Sequence, residues 1–147
     1  MTGYLLDTNV ISMLSPSRVE ASGAFLEWLA RMDAEGQVFL SVVTVHEIEK
    51  GIALLDSKGA TARASGLKLW LAGLLANYGD KIIGVDAAAA ALAGQLEAKA
   101  MPAGHDPGMA DAVIAGIAQA HKLVIVTRNM KHFQPFEVSL MSPDEVA

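Results

Sequence analysis

The sequence predicts an α/β fold in three layers, α/β/α, with helices covering both faces of a central parallel sheet of four to five strands. Three observations carry this. Short apolar runs alternate along the chain with longer stretches of helical periodicity, the pattern of β–α units rather than of hairpins. The runs Tyr4–Leu6, Val38–Leu40 and Leu123–Val126 show no polar alternation, so they read as strands buried on both faces. The first run also ends abruptly in a carboxylate, Asp7. Open α/β sheets bind their ligands at that end of a strand.

The elements follow in order. Thr8–Leu14 is a short helix ended by Ser15-Pro16-Ser17. A second helix is expected from about Val19 to Ala34, with Phe25, Leu26, Leu29 and Met32 at helical spacing, Trp28 beside them, and Gly36 as its stop. After the second strand, Ser41-Val42-Val43-Thr44 leads into a helix carrying Glu47, whose core side is Ile48, Ile52 and Leu55. Asp56–Ser65 reads as a loop or frayed end. Leu67, Trp70, Leu71, Leu74 and Leu75 then form a helix closed near Tyr78-Gly79-Asp80. Lys81–Val85 is the third strand, and Asp86 caps an Ala-rich helix to about Ala100. Asp106 followed by Pro107 reads as a cap and first position opening a helix to about Ala120. Thr127–Gln134 is expected to be loop, with a short edge strand over Glu137–Leu140. Trp28 and Trp70 suit either the core or an interface.

Composition sets the limits. A chain of 147 residues suits one domain, 1–147, with one core. Hydrophobic residues make up 52%, which excludes general disorder. Cys is absent, so disulfides and thiolate metal sites are excluded, and a reducing, cytoplasmic setting is expected. An apolar strand from about Tyr4 with no basic segment before it predicts no signal peptide, and no apolar run is long enough to predict a membrane span. The formal net charge of -5 is unusual for a nucleic-acid binder and predicts weak non-specific affinity for RNA. Carboxylates gathered around a cation would supply some of that negative charge.

Three carboxylates stand out. Asp7 sits between a strand and a helix, where capping the helix and serving a site are both open. Thr44-x-x-Glu47 fits a capping box, in which the glutamate reaches back to the cap; the functional reading needs Glu47 at the same helix start, so the two are compatible. Asp111 lies one turn inside a helix that continues Ala112-Val113-Ile114-Ala115-Gly116-Ile117. No Lys or Arg is near it on that helix. A metal ion is an economical partner, and a first-turn Asp favoured by the helix dipole is the alternative. His46, His105, His121 and His132 show no ligand spacing and read as surface or packing residues. No phosphate-binding glycine loop and no nucleophile elbow is present.

Taken together, Leu5-Leu6-Asp7-Thr8-Asn9-Val10-Ile11, Ser41-x-x-Thr44-x-x-Glu47-Ile48, Ala110-Asp111-Ala112-x-Ile114-Ala115 and Val126-Thr127-Arg128-Asn129-x-x-His132-Phe133 resemble the PIN-domain ribonucleases, above all the VapC-type toxins of toxin–antitoxin modules. The resemblance implies a Mg²⁺- or Mn²⁺-dependent endoribonuclease acting on RNA. It implies a homodimer held inactive by a small antitoxin protein. It carries Asp7, Glu47 and Asp111 over as the acidic cluster, with Asp7 and Asp111 as direct ligands and Glu47 acting through a water or on a second ion. Many family members place a fourth acid after the fourth strand, where this chain has Asn129 and His132. Asn129 could orient a water or a phosphate. Thr8, Asn9 and Thr127 are polar supports, Arg128 stands near the same edge with phosphate and solvent both open as its partner, and Lys58, Arg63 and Lys68 on the polar side are expected to matter less. Two other functions compete: a degenerate PIN domain that binds RNA or a partner without cutting it, and a haloacid-dehalogenase-like phosphohydrolase. The phosphohydrolase motif needs a second Asp where this chain has Asn9.

Overall fold

The structure is a computed structural model, and it describes residues 1–16, 21–104 and 107–146. In chain order the elements are β1 (Gly3–Leu6), α1 (Thr8–Met13), α2 (Gly23–Ala34), β2 (Val38–Ser41), α3 (Val42–Ser57), α4 (Thr61–Tyr78), β3 (Ile82–Ile83), α5 (Ala87–Ala100), α6 (Met109–His121), β4 (Leu123–Val126), α7 (Met130–Phe133) and β5 (Leu140–Met141). Among the described residues the strands form one five-stranded sheet in the order β3-β2-β1-β4-β5, every pair parallel.

The register explains the two cores. Leu5 stands beside Phe39 and Ile125, and Leu6 beside Val126. Side chains alternate across a strand, so Leu5 and Ile125 pack with α5 and α6, together with Phe133 and Phe136. Leu6, Val38, Leu40 and Val126 face the other way, onto α1 and α2. This is the three-layer arrangement that the unalternated strands predict. From β1 the chain runs outward to β2 and β3 on one side and later to β4 and β5 on the other. The strand order therefore reverses at β1, and a crevice opens at its carboxyl end. Trp28 takes the core role: it is 8% exposed and meets Tyr4 edge to face at 4.8 Å between ring centroids.

Several boundaries differ from expectation. α2 opens at Gly23, where the Ser22 hydroxyl accepts from the Phe25 amide; the expected start at Val19 lies outside the described residues. α3 continues to Ser57 and α4 begins at Thr61, so the expected loop over Asp56–Ser65 shrinks to Lys58–Ala60. Only Ile82 and Ile83 of the third run pair as a strand. The sixth helix starts at Met109 after Gly108, whose φ of +78° breaks any helical path from Pro107. Asp106, read as a cap, lies outside the described residues. The loop expected after β4 contains α7, whose Phe133 is fully buried. β5 then sits at Leu140–Met141, because Glu137 turns the chain at a φ of 57°. Asp86 caps α5 as expected, accepting from the Ala89 amide at 2.8 Å. Among the described residues no helix is long and apolar enough to cross a membrane.

Candidate functional site

Asp7 is the first residue beyond β1 and the N-cap of α1. Its Oδ1 accepts from the Thr8 amide at 2.8 Å and its Oδ2 from the Thr127 hydroxyl at 2.9 Å. Capping and facing the crevice thus coexist. Thr127, fully buried just past β4, also accepts from the Asn129 amide at 3.0 Å and the Asn9 side-chain amide at 3.4 Å. Asn9 Oδ1 in turn accepts from the Arg128 amide at 3.2 Å. These bonds tie together the carboxyl ends of the two central strands, which are adjacent because β1 and β4 pair.

Glu47 is placed differently from the capping-box reading. Ser41, at the end of β2, is the cap, and its hydroxyl accepts from the Thr44 amide at 3.2 Å. Thr44 is therefore already helical, and Glu47 sits in the second turn, out of reach of the cap. Its Oε1 instead accepts from the Thr8 hydroxyl at 2.7 Å. Thr8 Oγ1 also lies 2.9 Å from Thr44 Oγ1. The first strand–helix corner thereby fixes the glutamate that α3 delivers.

Asp111 projects from the first turn of α6, and its partner comes from another element, as its helix required. His132 on α7 brings Nδ1 to 3.5 Å from Asp111 Oδ2. His132 reads from sequence as a surface or packing residue; it is exposed in the fold and also lines the site. Its spacing from Asn129 is one helical turn, a signal hidden by taking this segment for loop.

Asp7, Glu47, Asp111, Asn129 and His132 all line one cavity of about 460 Å³, with Thr8, Asn9 and Gly108 at its walls. Arg128 is exposed and is not part of the cavity's described lining. Burial, helped by the charges of Asp111 and Glu47 and opposed by the Thr127 and Thr8 hydrogen bonds, pushes the Asp7 carboxyl up from 3.8 to about 6. Burial likewise raises Asp111, partly offset by the neighbouring His132 imidazole. Three carboxylates share a pocket in which two of them resist ionisation.

The donors are oxygen atoms from carboxylates, hydroxyls and amides, the set preferred by hard cations such as Mg²⁺ and Mn²⁺. Their positions are looser than a closed cage. Among the described residues no three His, Asp or Glu side chains come close enough together to hold an ion between them. Mg²⁺ commonly takes one or two carboxylates and keeps several waters, so the pocket fits such an ion in chemistry and in the number of direct ligands it needs.

The PIN domain family matches residues 4–134. Toxin FitB of Neisseria gonorrhoeae is 32% identical over 140 residues, covering 95% of this chain and 96% of that protein. VapC ribonuclease Y4jK of Sinorhizobium fredii is 31% identical over 144 residues, covering 97% and 99%. The crystal structure of FitAcB from Neisseria gonorrhoeae superposes with a TM-score of 0.75 at 32% identity, covering 95% of this chain and 97% of that one.

Proposed function

The chain belongs to the PIN-domain family and has the architecture of its VapC/FitB-type toxins, and from that premise we propose that it is a divalent-metal-dependent endoribonuclease. The observation that carries this reading is the convergence of Asp7, Glu47 and Asp111 on one cavity at the strand-order reversal. The relatives' names, a toxin and a VapC ribonuclease, support it.

Asp7 and Asp111 are the residues that would hold Mg²⁺ or Mn²⁺. The ion, when bound, neutralises charge on the phosphoryl oxygens and acidifies water. This chain's own residues do the rest. Thr8 occupies one oxygen of Glu47 and leaves the other to accept a proton from the attacking water. That water's oxygen bonds to phosphorus, the bond to the leaving ribose oxygen breaks, and solvent returns a proton to the leaving group. Asn129, at the mouth, offers an amide to a phosphate oxygen. Thr127 holds Asp7 in position. Thr8 and Asn9 act by fixing Glu47 and the β4 corner, and Arg128 stands outside the cavity as an outlying phosphate contact. A small antitoxin protein and a second copy of the chain complete the reading as partners, the latter in keeping with exposed Leu69 (77%) and Met109 (75%).

A second reading has its own support. The absence of a closed three-ligand group among the described residues favours a PIN domain that binds RNA or a partner without cutting. Titration of Mg²⁺ against a fluorogenic single-stranded RNA separates the two. Cleavage that rises with Mg²⁺, stops with chelator, and falls at least about 10³-fold in Asp7→Asn and in Asp111→Asn is expected. Activity surviving either substitution in a pure preparation refutes the assignment; RNA binding with no cleavage at any Mg²⁺ or Mn²⁺ concentration establishes the second reading.

A further inference from the structure

The cavity does not end at Glu47. Thr8, Ser12 and Glu47 also line a second space of about 200 Å³, a cleft between α1, α3 and α4. Arg63 and the half-buried Trp70 stand on its α4 wall, and Gly51 on its α3 wall. Three features set it apart from a packing groove. Gly51 lies inside a 16-residue helix, where glycine is disfavoured relative to alanine. Nothing lies within 4 Å of a Cβ built there, so packing does not demand the glycine, and a larger side chain at this position of the lining has open space to enter. Arg63 is exposed and belongs to the lining of this space, whereas Lys68 on the same helix pairs with Asp56 at 3.6 Å. Arg63, Leu67 and Trp70 recur at four and three residues, which places cation and ring on one face of α4. A guanidinium suits a phosphodiester and an indole suits a base, and a narrow cleft admits a single strand but no duplex.

We propose that this cleft is the subsite for the nucleotide next to the scissile phosphate, with Arg63 on the neighbouring phosphodiester and Trp70 against the base. The proposal rests on the nuclease reading of the adjoining cavity. It reverses the expectation that Arg63, as a cation on the polar side, matters less.

The test is the affinity of the full chain for a labelled single-stranded RNA oligonucleotide in Ca²⁺, a hard divalent cation offered in place of Mg²⁺, read by anisotropy at several salt concentrations. Arg63→Ala lowers affinity and flattens the log–log salt dependence by about 0.7. Gly51→Leu fills the cleft from open space and lowers affinity about tenfold, the worth of one stacked base, while the unfolding midpoint holds or rises. Lys68→Ala leaves affinity within about twofold, as a surface charge outside the cleft should. Emission from Trp70 changes on RNA binding, and Trp70→Phe, which leaves only the buried Trp28, abolishes that response. If the wild type binds RNA but Arg63→Ala and Gly51→Leu bind it equally well, the subsite is refuted and the nuclease reading stands. If the wild type neither binds nor cuts RNA, both fall.

Discussion

Asp7 is 6% exposed and shares its pocket with two other carboxylates, so the folded chain holds its proton more tightly than the unfolded chain does. Stability is then greatest below the ordinary carboxylate value. It falls as pH rises through the interval from 3.8 to about 6. Above that interval the full cost of ionising Asp7 is present, about 3 kcal/mol from the size of the shift; the raised Asp111 acts in the same direction. Asp7→Asn removes the charge but cannot accept at both oxygens, which forfeits about 1 kcal/mol of hydrogen bonding. In chelator at pH 8 the variant is expected to be about 1–2 kcal/mol more stable than the wild type, and at pH 4 no more stable; denaturant unfolding at the two pH values checks this. Equal destabilisation at both would mean that Asp7 is a cap and little else. The sequence could not separate these roles, because one position past a strand serves both. Glu47 was more legible than the Thr44-x-x-Glu47 pattern suggested. Ser41 stands three residues before Thr44 and takes the cap first, which frees the glutamate for Thr8.

At the scale of elements, α5 and α6 show how small residues set a distance. Ala89 and Ala93 of α5 meet Gly116 of α6 so closely that a Cβ on Gly116 would lie 2.6 Å from the Ala89 carbonyl oxygen and 2.9 Å from the Ala93 Cβ. The carbonyl is backbone and cannot rotate away. Gly116→Ala is therefore expected to cost about 2–3 kcal/mol and, by pushing α6 outward, to move Asp111. Gly73→Ala in α4, where nothing lies within 4 Å, should stabilise by about 0.5–1 kcal/mol. Urea unfolding of the pair checks the contrast, and equal effects would show that the two helices can part freely. The Ala-rich composition announced good helix but not this contact, since an isolated sequence does not say which small residue faces another. The central strands were readable because burial on both faces leaves unbroken apolar runs. β3 and β5 were displaced or overlong in expectation because each pairs over two half-buried residues at an edge. α7 was hidden because four residues carry too little periodicity to be seen.

At the scale of the molecule, topology does what no local pattern can: it brings residues 7, 47 and 111 to one cavity from three separate elements. Family motifs announced which residues these were, and the strand-order reversal explains why they meet. A chain of net charge -5 that also concentrates carboxylates in a pocket should rely on a cation to accept a polyanion. The most direct measurement of that dependence is calorimetric titration of Mn²⁺ into the RNA-free protein at pH 8. Binding that is weakened at least about tenfold in Asp7→Asn and again in Asp111→Asn is the predicted result. Mn²⁺ affinity that is absent in the wild type, or unchanged from the wild type in both variants, would contradict the account.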